Sequence, residues 1–79
     1  MEQLLTFLAQ EITGASSINV TKEERDGMFI YTITLPKEFV GQLIGKDGRV
    51  VSSIRTLAAV RAAKENMRVG IEVKEKEAS

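Results

Sequence analysis

The chain reads as an α+β fold in which the elements run α-β-β-α-α-β and a three-stranded mixed sheet carries its helices on one face. Three observations predict it. Two strand-like stretches flank the turn dipeptide Asp26-Gly27, the mark of a tight β-hairpin. A long helical stretch follows two glycines set three positions apart, Gly45 and Gly48. An alternating segment, Arg68-Val69-Gly70-Ile71-Glu72-Val73, then reads as a half-buried strand.

Residues 2 to 12 place Leu4, Leu5, Leu8 and Ile12 at helical spacing, and Gly14 is a natural stop just beyond. Ser17 to Glu24 puts Ile18 and Val20 on one face and ends in Arg25-Asp26-Gly27. Met28 to Leu35 follows, with Phe29, Tyr31, Ile33 and Leu35 on one face and Met28 and Ile30 on the other. Its two apolar faces predict a central strand. The first strand, with Asn19, Thr21 and Glu23 on its other face, reads as peripheral. Leu35-Pro36 ends the second strand, because the residue before proline is pushed to extended geometry and Pro36 suits a helix start. A short helix through Phe39, Val40, Leu43 and Ile44 leads to the glycines.

After them, residues 48 to 64 form the longest helix, about 25 Å at 1.5 Å per residue. Val51, Ile54, Leu57, Ala58 and Ala62 line its apolar face. Val50 and Val60 lie off that stripe, and Ala59 and Ala63 are small enough to let another surface approach. A strand, two helices and a strand on one sheet favour a right-handed crossover, which sets the last strand parallel beside Met28 to Leu35. Lys74 to Ser79 reads as a charged tail, and residues 1 to 79 as one domain.

With 79 residues, such a domain buries only about 60% of the surface its unfolded chain exposes. Net stability is then on the order of 3 to 5 kcal/mol unless a partner adds to it, which makes dimerisation an expectation. The chain has no Cys and no His, so disulfides, common zinc sites and Cys-His or Ser-His nucleophiles have no parts to be built from. Ser52 and Ser53 lack a histidine base, and no close carboxylate pair stands out for acid-base work. Gly41-Gln42-Leu43-Ile44-Gly45-Lys46-Asp47 has one residue too few between its glycines for a P-loop and no hydroxyl after the lysine. Neither enzyme nor cofactor is expected. Glu23, Glu24 and Asp26 read as a solvated hairpin tip rather than a metal site. The opening residues have no basic lead and the apolar runs are short, so neither a signal peptide nor a membrane span is expected, and the cytoplasm is the default address.

The Gly45–Gly48 segment is where function concentrates. Both glycines can take positive φ and admit a ligand backbone, and the amides that open the following helix have no partners of their own. Lys46 and Arg49 sit where the helix dipole is positive and where an acid is the usual occupant, so the segment is set to receive an anion. Formal net charge is zero, but residues 46 to 68 carry Lys46, Arg49, Arg55, Arg61, Lys64 and Arg68 against Asp47 and Glu65, whereas the first 45 residues are acidic.

Ile44-Gly45-Lys46-Asp47-Gly48-Arg49-Val50-Val51-Ser52-Ser53-Ile54 resembles the I-G-x-x-G-x-x-I-x-x-I signature of KH domains. The element order resembles their type II arrangement. From the first helix to the last strand, the chain is similar to the single-domain bacterial KH proteins of the KhpA (YlqC-like) family. Val51 stands where the signature has Ile and keeps a β-branched apolar side chain; Asp47 puts an acid in the loop and dilutes its pull on phosphate.

The resemblance implies single-stranded RNA binding, with the glycine loop clamping the backbone of about four nucleotides. Gly45 and Gly48 would admit that backbone, Lys46 would contact phosphate, and Arg49 would add charge. Val40, Ile44 and Val51 would floor the base-binding strip, Ile71 would stand near its opposite wall, and Arg55 would reach a phosphate or sugar. Ile44 and Val51 read equally well as core, and Arg55, Arg61 and Lys64 read more naturally as solvated helix charges than as contacts. Phe7, Phe29, Tyr31 and Phe39 read as core rather than as stacking platforms. The resemblance further implies self-association, and pairing with a larger KH-containing protein (KhpB/Jag-like) in bacterial cell growth and division. Two other functions stay open: a KH-fold adaptor with little RNA binding of its own, favoured by zero net charge and by Val50, Ala59, Val60 and Ala63, and a binder of single-stranded DNA.

Overall fold

The computed structural model of the chain describes residues 1–76. Helix α1 (Glu2–Thr13) ends at Gly14, whose φ of 74° and N–H bond to the Gln10 carbonyl close the last turn as a left-handed cap. Strands β1 (Asn19–Arg25) and β2 (Met28–Leu35) pair antiparallel from Asn19 opposite Thr34 to Arg25 opposite Met28. Between them Asp26 and Gly27 have φ of 53° and 76°, the two positive values a type I′ turn requires. The first strand thus begins two residues later than the expected Ser17 and runs one beyond Glu24, because Arg25 closes the ladder at the turn.

Helix α2 (Lys37–Ile44), a single tight turn (Lys46–Gly48) and helix α3 (Arg49–Ala63) lead to strand β3 (Val69–Glu75). Strand β3 pairs parallel with β2, from Phe29 opposite Val69 to Leu35 opposite Glu75, so β2 is central as expected. Lys74 and Glu75, expected in a charged tail, belong instead to β3 because Thr34 and Leu35 offer them ladder partners. Lys76 continues the contact, its N–H donating to the Leu35 carbonyl at 2.9 Å and its ammonium to the Ser17 hydroxyl at 2.8 Å. The rest of that expected tail, residues 77–79, lies outside the described residues.

The core forms where the helices meet the inner face of the sheet. Tyr31, Ile33 and Leu35 of β2 and Ile71 of β3 pack with Leu5 and Ala9 of α1, Leu43 of α2, and Ile54 and Ala58 of α3, all buried. The alternation in β2 that predicted a two-sided strand is real: Met28, Ile30, Thr32 and Thr34 on its other face are half-buried. On that face Arg25 bonds Glu23 at 3.1 Å and Glu72 at 3.3 Å, tying β1 to β3 across β2. These side chains are half exposed, so the pairs contribute little beyond alignment.

Three side chains expected in the core are exposed, and Val50, expected off it, packs against it. Leu57 is 53% exposed although it was expected on the buried face of α3, because that face narrows to Val51, Ile54, Ala58 and Ala62. Leu57 lies on the flank, bordering a hollow of about 450 Å³ that Leu4, Val60, Arg61, Lys64 and Glu65 also line. Phe7 is 56% exposed, its position on α1 being turned away from the buried Leu5–Ala9–Thr13 stripe. Ile12 is exposed because Thr13 takes the core position, its hydroxyl donating to the Ala9 carbonyl at 2.7 Å and accepting from the Ala15 N–H at 3.1 Å. Val50 is half-buried against the core and is therefore not an open apolar position.

Candidate nucleic-acid interface

The loop is fixed by its first glycine. Gly45 takes φ 77° and ψ 175°, a region open essentially to glycine alone, while its N–H closes α2 on the Gly41 carbonyl at 2.8 Å. A Cβ at Gly45 would stand 2.3 Å from Cγ2 of Val50 and 2.7 Å from its Cβ. The first turn of α3 therefore packs directly on the loop backbone. Lys46, Asp47 and Gly48 make one tight turn, closed by the Gly48 N–H on the Gly45 carbonyl at 3.2 Å. Asp47 and Gly48 are both left-handed, with φ of 55° and 73°, and space beside Gly48 is open. The two glycines thus differ: one seats Val50, and the other leaves the loop surface bare.

Helix α3 begins at Arg49 with no side-chain cap and no acid in its first turn. Its positive dipole end and the Lys46 and Arg49 side chains therefore face solvent together. Among the described residues, ion pairs engage Arg25 with Glu23 and Glu72, and none engages Lys46, Asp47, Arg49 or Arg55. Asp47, exposed in the same turn, opposes the field of the two cations without pairing with either.

Beside the loop, α2, α3 and β3, the elements that carry the expected apolar residues, pack against one another pairwise. Their exposure separates them. Ile44 is 37% exposed and Val40, one helical turn earlier on α2, is half-buried, so these two present apolar surface. Val51 and Ile71, at 6% and 4% exposure, are core residues that back this strip rather than faces open to a ligand. Of Ile44 and Val51, which the sequence left between floor and core, the structure exposes the first and buries the second. Arg55, one turn beyond Val51 on α3, directs Nε and Nη2 toward the Ile71 carbonyl, both at 3.4 Å.

Three features escaped sequence reasoning. Val50 seats the loop, the Leu4–Leu57–Val60 hollow opens between α1 and α3, and Arg55 bridges to β3. The first two left a trace in sequence, as Val50 and Val60 lying off the buried stripe of α3; the third left none.

A family model described as "KhpA/KhpB, KH domain" matches residues 2–73. The RNA-binding protein KhpA of Clostridium acetobutylicum is 32% identical over 74 residues, covering 92% of this chain and 99% of the relative. The protein of the same description from Listeria monocytogenes serovar 1/2a is 30% identical over 74 residues, covering 92% of this chain and 97% of the relative. That from Chlamydia trachomatis is 28% identical over 76 residues, covering 95% and 97%. The α-β-β-α-α-β order, the mixed sheet with β2 at its centre and a glycine loop between two helices form a type II KH fold. By the match over nearly its whole length and by this fold, the chain belongs to the KhpA/KhpB KH-domain family, a family of binding proteins rather than enzymes.

Proposed function

We propose that the chain binds single-stranded RNA, with the Gly45–Gly48 loop clamping the phosphate backbone and the Val40–Ile44 strip receiving bases. The observation that carries it is the uncapped start of α3, where Gly48 leaves the loop backbone bare and Lys46 and Arg49 stand without carboxylate partners among the described residues. The relatives' description as RNA-binding proteins supports the choice of RNA over DNA as ligand. Zero net charge keeps non-specific attraction low, so affinity depends on this one cluster. Fluorescence anisotropy of a short labelled RNA, repeated across salt concentrations, tests it. Engagement of three or four phosphates gives log affinity against log salt a slope of about −2 to −3. A flat response would remove the loop as a phosphate site, and stronger binding of the matched DNA would favour a single-stranded DNA binder.

A lone domain contacting about four nucleotides gains apparent affinity by pairing, because the second contact becomes intramolecular. Leu57, Val60, Ala59 and Ala63 leave the outer side of α3 exposed and apolar or small, which supports association through it as a homodimer or with a larger KhpB/Jag-like protein. A post-transcriptional role in cell growth and division rests on the family resemblance alone. Multi-angle light scattering at tens of micromolar is expected to give a mass above the 8.7 kDa monomer. Val60→Glu is expected to return it to monomer while leaving the circular dichroism spectrum intact, since Val60 is 56% exposed. A monomer at all concentrations would remove the homodimer and leave only pairing with a different chain.

A further inference from the structure

Arg55 is the one described side chain of α3 that hydrogen-bonds to β3. Its acceptor is unusual in position. The Phe29 N–H bonds the Arg68 carbonyl at 2.9 Å, and carbonyl directions alternate along a strand, so the Gly70 and Glu72 carbonyls also face β2. The Ile71 carbonyl then points to the other side, the outer edge of β3, where no further strand lies among the described residues. Arg55 reaches this oxygen with Nε and Nη2, both at 3.4 Å, from 16 positions away in sequence. No carboxylate competes for the guanidinium, as the described ion pairs all belong to Arg25.

This use of the fork bears on RNA binding. Ile71 is buried where α2, α3 and β3 pack pairwise, and the loop that would hold phosphate opens α3, so a change in the spacing of α3 and β3 would shift that loop relative to the strip on α2. We infer that Arg55 is a positioning residue, which fixes that spacing by holding the Ile71 carbonyl and affects RNA through the strip rather than by neutralising a phosphate. The inference rests on RNA occupying the loop and strip as proposed above. A lysine at this position would keep the charge but not the fork, since an ammonium is a single point donor group on a flexible stem.

The test compares wild type with Arg55→Lys and Arg55→Met, using oligo-A and oligo-U probes in the anisotropy assay and the Ile71 carbonyl carbon shift in the RNA-free proteins. Both variants are expected to move the Ile71 shift more than those of Gly70 and Glu72, and to weaken RNA binding severalfold, since contacts of 3.4 Å are weaker than a charge-assisted hydrogen bond of ordinary length. The salt slope stays at the wild-type value in both, and the ratio of oligo-A to oligo-U affinity changes because purines and pyrimidines differ in width. A contribution to stability alone would leave that ratio unmoved in the folded protein, and an unchanged ratio overturns the inference. So does wild-type binding by Arg55→Lys, or a slope shallower by about 0.7 in Arg55→Met, which is the mark of one lost phosphate contact to a single strand. Failure of wild type to bind either probe would instead overturn RNA binding itself, and the RNA-free shift would then decide alone whether Arg55 holds Ile71.

Discussion

Gly45→Ala is expected to lose about 3 kcal/mol or more of unfolding free energy, whereas Gly48→Ala loses about 1 kcal/mol. At Gly45 two costs add. Its φ of 77° with ψ of 175° strains any residue with a side chain, and the new methyl would overlap Val50 at 2.3 Å. Val50 cannot simply swing aside, because it is half-buried against the core and its own nitrogen lies 3.0 Å from that methyl. The start of α3 must therefore move, and with it the contact between Val51 and the rest of the core. At Gly48 the left-handed φ of 73° is the only penalty, since nothing stands within 4 Å of an added methyl.

For a domain of this length, about 1 kcal/mol corresponds to a 4–8 °C change in melting temperature. Gly45→Ala is thus expected to melt at least about 12 °C below wild type. Thermal or urea unfolding followed by circular dichroism checks both variants. Equal losses at the two glycines would show that Val50 does not seat the loop.

The sequence carried most of the fold because its local signals agree with one another. The Asp26-Gly27 turn fixes the register of β1 on β2, alternation marks β2 as two-sided, and Pro36 separates strand from helix. The parallel placement of β3 follows from chain connectivity. Side-chain exposure was less legible. Periodicity assigns Leu57 to the same side of α3 as Ile54, but cannot reveal that α1 stands apart and leaves that flank open. Phe7 reads as core from its position in the sequence, yet on α1 it turns away from the Leu5–Ala9–Thr13 stripe and is exposed.

For the candidate site, the glycines, Lys46 and Arg49 could be read from spacing and charge. The division of the apolar residues could not. Ile44 and Val51 are equally hydrophobic in pattern, and only packing shows one on the surface and the other inside. The Arg55 bridge was illegible for a different reason: its acceptor is a backbone carbonyl, which any residue supplies, so no side chain in the sequence marks it.

The second large effect concerns the loop's charge. Lys46→Asp places two adjacent acids, at 46 and 47, before the uncapped start of α3, where the helix dipole alone would still attract phosphate. Lys46 is exposed and engages no described ion pair, so its replacement leaves the core and the fold intact. The change removes one cation and adds one repelling charge where the backbone phosphate would sit. Loss of a charge-assisted contact alone accounts for about 1.5–3 kcal/mol, and repulsion adds to it, so RNA affinity is expected to fall by tenfold or more.

The salt slope becomes shallower in the same variant, because fewer counterions are displaced. Fluorescence anisotropy of one short labelled single-stranded RNA against wild type and Lys46→Asp, with matched circular dichroism, is the most direct measurement of whether the glycine loop holds RNA. Binding by wild type that is lost in Lys46→Asp is the expected result; equal binding by the two folded proteins would contradict it.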